Sequence, residues 1–160
     1  MGYKSRKQLY QEFEEMRGRP LISYVTSIRP NLSGNMAGDS IEHIIEQIRS
    51  IPDDIKEVDF IIISNGGDPI TALRIISVLR ERFEKISVIL PYVAYSAATI
   101  LALGADEIVM HPYSNLGPVD PQLTVSRQSD NGQASKLEFS SEDIRNYVEF
   151  VKTDVGITDQ

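Results

Sequence analysis

Two short segments carry the residue types that acyl-transfer chemistry requires. One is Tyr92-Val93-Ala94-Tyr95-Ser96-Ala97-Ala98, and the other is Asn65-Gly66-Gly67-Asp68-Pro69. Ser96 opens a run of small apolar residues that reads as a short helix to Leu103. A serine there either caps the helix or, with a base beside it, attacks a carbonyl. The first turn of a helix holds unpaired N–H groups, Ala97 among them, and these favour developing negative charge. Adjacent glycines after a strand tolerate positive φ and let another backbone approach closely. They can therefore aim N–H groups at an oxyanion, which makes Gly66 and Gly67 candidates beside the plain alternative of a tight turn. Tyr92, Tyr95 and Tyr113 flank these segments, either lining a substrate pocket or packing as ordinary aromatics. The Gly-x-x-x-x-Gly-Lys pattern of a phosphate loop is absent.

Other chemistries are excluded by composition. The chain has no cysteine, so thiolate metal sites, disulfides and a cysteine nucleophile fall away. Two histidines, His43 and His111, are too few for a His-rich metal centre. The net charge is 16 − 23 = −7, and the most basic stretch (Lys4, Arg6, Lys7) runs straight into Glu12, Glu14 and Glu15. That pattern is the solvated face of a helix and predicts no nucleic-acid binding. No apolar run reaches the roughly 18 residues of a membrane span, and no secretory signal opens the chain. The sequence predicts a cytoplasmic location.

The elements that must position these groups follow from periodicity. Residues 3–17 form a polar helix ended by Gly18 and Pro20. Leu21–Ile28 reads as a strand. Asp39 or Ser40 caps a helix with an apolar stripe of Ile41, Ile44, Ile45 and Ile48. Val58–Ser64 is a buried strand, and Ile70–Phe83 a helix whose inner side carries Leu73, Ile76, Val78 and Leu79. Ile86–Leu90 is another buried strand, Pro91–Tyr95 a turn, Ser96–Leu103 the small-residue helix and Glu107–Met110 a brief strand. Ser126–Ser135 is a polar loop, and a last helix runs from Glu142 to about Val155. Strands alternating with helices predict an α/β fold, a mostly parallel sheet with right-handed crossovers, in one domain spanning residues 1–160. In such a sheet, sites form beyond the carboxyl ends of the strands, where both chemical segments fall. Thr158-Asp159-Gln160 reads as the cap of a further helix, so the chain is expected to continue past Gln160.

Ile62-Ile63-Ser64-Asn65-Gly66-Gly67 resembles the glycine loop of Clp-type peptidases. Tyr95-Ser96-Ala97-Ala98-Thr99-Ile100-Leu101-Ala102-Leu103-Gly104-Ala105-Asp106 resembles the helix that carries their nucleophile. Ala105–Met110, Pro112 and Leu116-Gly117-Pro118-Val119 are closer to the signal-peptide-peptidase-A branch. Residues 58–121 as a block are most similar to the serine-dehydrogenase-proteinase family. The resemblance implies a Clp/crotonase-like fold and a serine peptidase, with Ser96 as nucleophile and the Gly67 and Ala97 N–H groups as oxyanion hole. It implies an extended peptide flanked by Ile86–Leu90 and the loop after Pro112 and bound by strand addition; Gly66 is a candidate substrate-binding residue, as are Tyr92, Tyr95 and Tyr113 if they line the pocket rather than pack. No histidine stands where Clp peptidases place theirs, near Val119, and His111 falls too early. The Ser-Lys branch places its base about forty residues beyond the serine, which points to Lys136. A lysine serves as base when burial lowers its pKa toward 7–8. Lys152, in the final helix, reads as solvated.

The resemblance further implies peptide or protein substrates, a homo-oligomer with helix 142–155 as a contact, and no metal or cofactor. No dinucleotide loop supports use of NAD. Two other functions fit the same fold: a non-catalytic scaffold or peptide-binding subunit, and a crotonase-type acyl-CoA enzyme. The last needs acids beside the oxyanion segments, where Asp68 is the one available and Glu107 lies past the helix.

Overall fold

In the computed structural model, the described residues are 2–29, 31, 32, 34–120, 122–128 and 134–153, with backbone alone for 122–139. They form two compact units, Met1–Val119 and Asp120–Gln160.

The first unit opens with helix α1 (Tyr3–Arg17), closed by Gly18 at φ 69°, a left-handed cap that a glycine adopts without strain. Strand β1 (Leu21–Val25), helix α2 (Ser40–Arg49), strand β2 (Glu57–Ile63), helix α3 (Pro69–Arg82) and strand β3 (Lys85–Leu90) follow. A two-residue strand β4 (Val93–Ala94) leads into helix α4 (Ala97–Leu103), strand β5 (Glu107–Met110) and the short strand β6 (Asn115–Leu116). The main sheet runs β1-β2-β3-β5, parallel throughout. Its spatial order follows chain order, so right-handed crossovers put α2, α3 and α4 on one face. On that face Val58, Phe60 and Ile62 of β2 and Ile86, Val88 and Leu90 of β3 are wholly buried. They pack with Ile41, Ile44 and Ile48 of α2, Ala72, Ile75 and Leu79 of α3, and Ala98, Leu101 and Ala102 of α4.

The opposite face carries a polar row. The register aligns Leu21, Asp59, Ser87 and Glu107 across four strands. Asp59 is fully buried and receives Arg17 through Nε (2.7 Å) and Nη2 (3.1 Å). Arg19 donates to the Ser87 hydroxyl at 3.0 Å and pairs with Glu57 at 3.1 Å; Ser87 in turn donates to Glu107 at 2.6 Å. These charges sit toward the amino ends of the strands, away from the chemical segments.

The second unit is an antiparallel hairpin, β7 (Gln122–Gln128) with β8 (Ala134–Ser140), followed by helix α5 (Ser141–Thr153). Asp143 N–H donates to the Ser140 hydroxyl at 2.9 Å and caps α5.

Several expectations need correction. Strand β1 stops at Val25, because Thr26 N–H makes the last ladder bond, to the Ile63 carbonyl, and Ser27 turns to accept from Gly34. Residues 126–128 and 134–135 of the polar stretch are paired strand rather than loop. Leu73 of α3 faces solvent, while Ala72 and Ile75 take the inner positions.

Candidate active site

The site forms where β2 and β3 end. Ser64, just past β2, donates its N–H to the Val93 carbonyl (3.0 Å) and accepts from Tyr95 N–H (3.0 Å). This bridge lays the glycine segment alongside β4. On the far side of β4, β6 runs parallel, with Asn115 N–H on the Tyr92 carbonyl (2.8 Å) and Gly117 N–H on the Ala94 carbonyl (3.0 Å). Thr99 clasps the arrangement from α4: its buried hydroxyl donates to the Ala94 carbonyl at 2.7 Å and contacts Gly117 at 3.1 and 3.2 Å.

Ser96 is not in the first turn of the helix, as expected, but one residue before it, at φ 50° and ψ −121°. A residue with a side chain rarely adopts that conformation. Its hydroxyl makes no capping hydrogen bond, and the residue is partly exposed. The plain N-cap role, which needs an extended backbone and a bonded side-chain oxygen, is thereby ruled out.

Gly66, at φ 94°, packs directly against this turn. A methyl group on it would strike the Tyr95 carbonyl, and would lie 2.8 Å from Ser96 Cβ and 3.0 Å from the Ala97 nitrogen. Gly67, at φ 147°, abuts Met36 on its other side. Met36 N–H donates to the Gly66 carbonyl (2.7 Å), and its carbonyl accepts from Asp68 N–H (2.8 Å). In a bridge of this kind the N–H of the intervening residue, Gly67, points away from the partner strand. Among the described residues neither Gly67 N–H nor Ala97 N–H has a hydrogen-bond partner. The site thus juxtaposes an uncapped serine hydroxyl with the glycine loop and with unpaired backbone donors.

The tyrosines divide. Tyr92 and Tyr113 meet edge to face at 6.2 Å, and His111 meets Tyr113 edge to face at 4.3 Å. Tyr95 instead lies over Gly117, where an added methyl would meet its ring. Both histidines are exposed; His43 contacts Glu46 at 3.5 Å. Lys136 falls within β8, at the register position of Ser126, rather than after a loop, and its side chain lies outside the described residues.

The acids are spent elsewhere. Asp68 caps α3, accepting from Thr71 Oγ1 at 2.7 Å and from Ile70 N–H and Thr71 N–H at 3.0 and 3.1 Å. The Thr71 hydroxyl, then the Ile70 amide, holds its pKa below the usual carboxylate value. Glu107 sits toward the other end of the sheet, its pKa also lowered, chiefly by the Ser87 hydroxyl. Asp68 is thus committed to the α3 cap, and Glu107 lies at the sheet end away from the glycine loop. No cluster of His, Cys, Asp and Glu that could hold a metal occurs among the described residues.

One expectation about substrate is overturned. Strand β3 is paired on both edges, by β2 and β5, so it has no edge to offer a peptide. Among the described residues strand β6 has one neighbour, β4, and its Leu116 N–H and carbonyl face away from it.

Over residues 33–135 the sequence matches the profile of the ClpP-like SDH-type serine proteinases. The chain belongs to that family. The SDH-type proteinase fold is shared with the ClpP protease catalytic domain from Plasmodium falciparum (TM-score 0.52, 16% identity, 69% of this chain and 59% of that one). Two uncharacterized proteins of Methanocaldococcus jannaschii are similar in sequence. One is 33% identical over 131 residues, 77% of this chain and 44% of its own; the other is 43% identical over 82 residues, 51% and 28% respectively. This SDH-type chain therefore spans less than half the length of either. No helix among its described residues is long and apolar enough to cross a membrane.

The sequence pointed to Ser96, Ala97, Gly66 and Gly67, and the structure brings these four together. Sequence reasoning missed Ser64, Thr99 and Met36, which hold them. For Ser64 the signal was a hydroxyl inside an otherwise apolar strand end, Phe60-Ile61-Ile62-Ile63-Ser64.

Proposed function

We propose that the chain is the catalytic domain of a serine peptidase that cleaves peptide bonds through an acyl-enzyme on Ser96. The observation that carries this reading is the Ser96 turn: positive φ, no capping bond, and contact with Gly66. The Ser96 hydroxyl attacks the scissile carbonyl and loses its proton to a general base. The carbonyl oxygen becomes an oxyanion held by Gly67 N–H and Ala97 N–H; the base then passes its proton to the leaving nitrogen, and collapse expels the amine and leaves an ester on Ser96. Water activated by the same base hydrolyses the ester. Lys136 is the base by resemblance to the Ser-Lys branch. Strand addition along the free edge of Asn115–Leu116 suits an extended substrate, with Tyr92 and Tyr113 near its side chains. Family membership supports the peptidase class and a homo-oligomeric assembly, and the chemistry calls on no metal or cofactor.

The test is labelling by a fluorophosphonate probe. Wild type is expected to react, Ser96→Ala not at all, and Lys136→Ala at least 100-fold more slowly, the scale of a lost general base. Labelling lost only with Ser96→Ala removes Lys136 from the mechanism. A folded wild type that does not react overturns the peptidase reading in favour of a scaffold.

A further inference from the structure

We infer that Ser64 is a positioning residue that sets the oxyanion loop against the nucleophile, with Thr26 holding its hydroxyl in place; this rests on the peptidase reading of Ser96. Ser64 is fully buried and stands between the two halves of the site. Its backbone holds Val93 and Tyr95, the latter immediately before Ser96. Its hydroxyl oxygen accepts from Gly66 N–H at 3.1 Å and from the Thr26 hydroxyl at 3.1 Å. Both lone pairs of that oxygen are therefore in use. Thr26 is itself anchored, its N–H on the Ile63 carbonyl at 2.9 Å. The chain Thr26–Ser64–Gly66 thus ties the ends of β1 and β2 to the glycine loop, while the Ser64 backbone ties that loop to the Ser96 turn.

The consequence is geometric. Gly66 and Gly67 both have positive φ and no side chains of their own to pin them. The Ser64 hydroxyl on Gly66 N–H fixes the peptide plane just before the one that carries Gly67 N–H. Removing it leaves the donor present but its peptide plane held by the Met36 bridge alone, and small misplacements at a reacting centre cost orders of magnitude in rate. Ser64 touches no substrate and acts through Gly66.

The test uses the full chain with Ser64→Ala, Thr26→Val and Thr26→Ser, beside wild type and Ser96→Ala. The readouts are the fluorophosphonate labelling rate, the affinity for a peptide boronate that forms a tetrahedral adduct on Ser96, the affinity for the matching unreactive peptide amide, and hydrogen exchange at Gly66. For Ser64→Ala, labelling and boronate affinity are expected to fall together by about 10–100-fold, with peptide-amide affinity within about twofold of wild type. Gly66 exchange is expected to quicken by at least about tenfold. Thr26→Val shows the same pattern with a smaller factor, and Thr26→Ser restores wild-type rates. Equal weakening of boronate and amide, or unchanged labelling in a folded Ser64→Ala protein, overturns the inference. If Ser64→Ala does not fold, the two Thr26 variants decide it on the same criteria. If wild-type Ser96 fails to react, the peptidase reading falls separately. Gly66 exchange then decides the positioning claim, with unchanged exchange in Ser64→Ala overturning it.

Discussion

At Ser96 the backbone occupies a region that costs a residue with a side chain about 1–3 kcal/mol. Glycine occupies it freely, so Ser96→Gly is expected to be more stable than Ser96→Ala by about 1 kcal/mol in urea unfolding, although neither variant reacts. Equal stability of the two would mean that the turn relaxes when the serine is lost. The identity of this residue was legible from its setting, a serine between a strand end and a run of small residues, with a glycine pair thirty positions earlier. Its conformation was not legible, because the strain is imposed by contacts with Gly66 and by the bridge from Ser64, both distant in sequence. The same holds for Thr26, which acts through an oxygen 38 residues away.

At the level of elements, strong periodicity was reliable. The apolar stripe of α2 and the buried runs of β2 and β3 formed as their patterns predicted. Both strands of the hairpin were overlooked, although Leu137 and Phe139 alternate with polar residues and stand opposite Val125 and Leu123 in register. The run of Ser, Asn, Gln and Gly between Val125 and Lys136 outweighed that signal. Junctions between elements are held by carboxylates whose role depends on charge. Asp68 caps α3, and Asp106 joins α3 to β3, accepting from Ile86 N–H at 2.7 Å and pairing with Arg80 at 2.7 Å. The Ile86 amide first, and then Arg80, lowers the Asp106 pKa, as the Thr71 hydroxyl lowers that of Asp68. A carboxylate whose pKa is depressed on folding stabilises above its unfolded value, near 4, and that contribution is lost as pH falls through the folded value. Urea midpoints measured from pH 6 to pH 2 should therefore drop below about pH 4. In an Asp68→Asn, Asp106→Asn double variant the protein starts less stable at neutral pH and takes up fewer protons on acid unfolding, by up to about one for each carboxylate removed. An acid limb identical to wild type would show that neither carboxylate is coupled to folding.

Across the first unit, the sheet has two chemically different ends. The carboxyl ends of β2 and β3 lead into the strained turn and the unpaired donors. The amino-end region carries the ion network that ties Arg17, at the close of α1, and Arg19 to three strands. Helix α1 buries none of its residues fully, so this network, with Glu14 accepting from Leu21 N–H at 2.8 Å, does much of the work of fastening it. Asp59 alone, a carboxylate inside Val58-Asp59-Phe60, hinted at such a partner in the sequence, but it could not say which cation. Arg17 answers with a two-pronged contact, and the hydrogen bonds it donates to Asp59 hold the Arg17 pKa above the ordinary value. Arg17→Ala strands a buried carboxylate that Arg19 approaches only to 3.7 Å. Because Arg17 is itself 26% exposed, the cost is set below that of a wholly buried pair, at about 2–3 kcal/mol in urea unfolding. The Ser96 labelling rate should stay within about twofold of wild type wherever both proteins are folded, since the lost contacts lie at the other end of the strands. A stability loss under about 0.5 kcal/mol would mean that Arg19 swings in to satisfy Asp59 alone. A matching loss of Ser96 reactivity would mean that strain at the carboxyl ends is sustained by the whole length of the sheet, rather than by the Ser64 bridge and its neighbours.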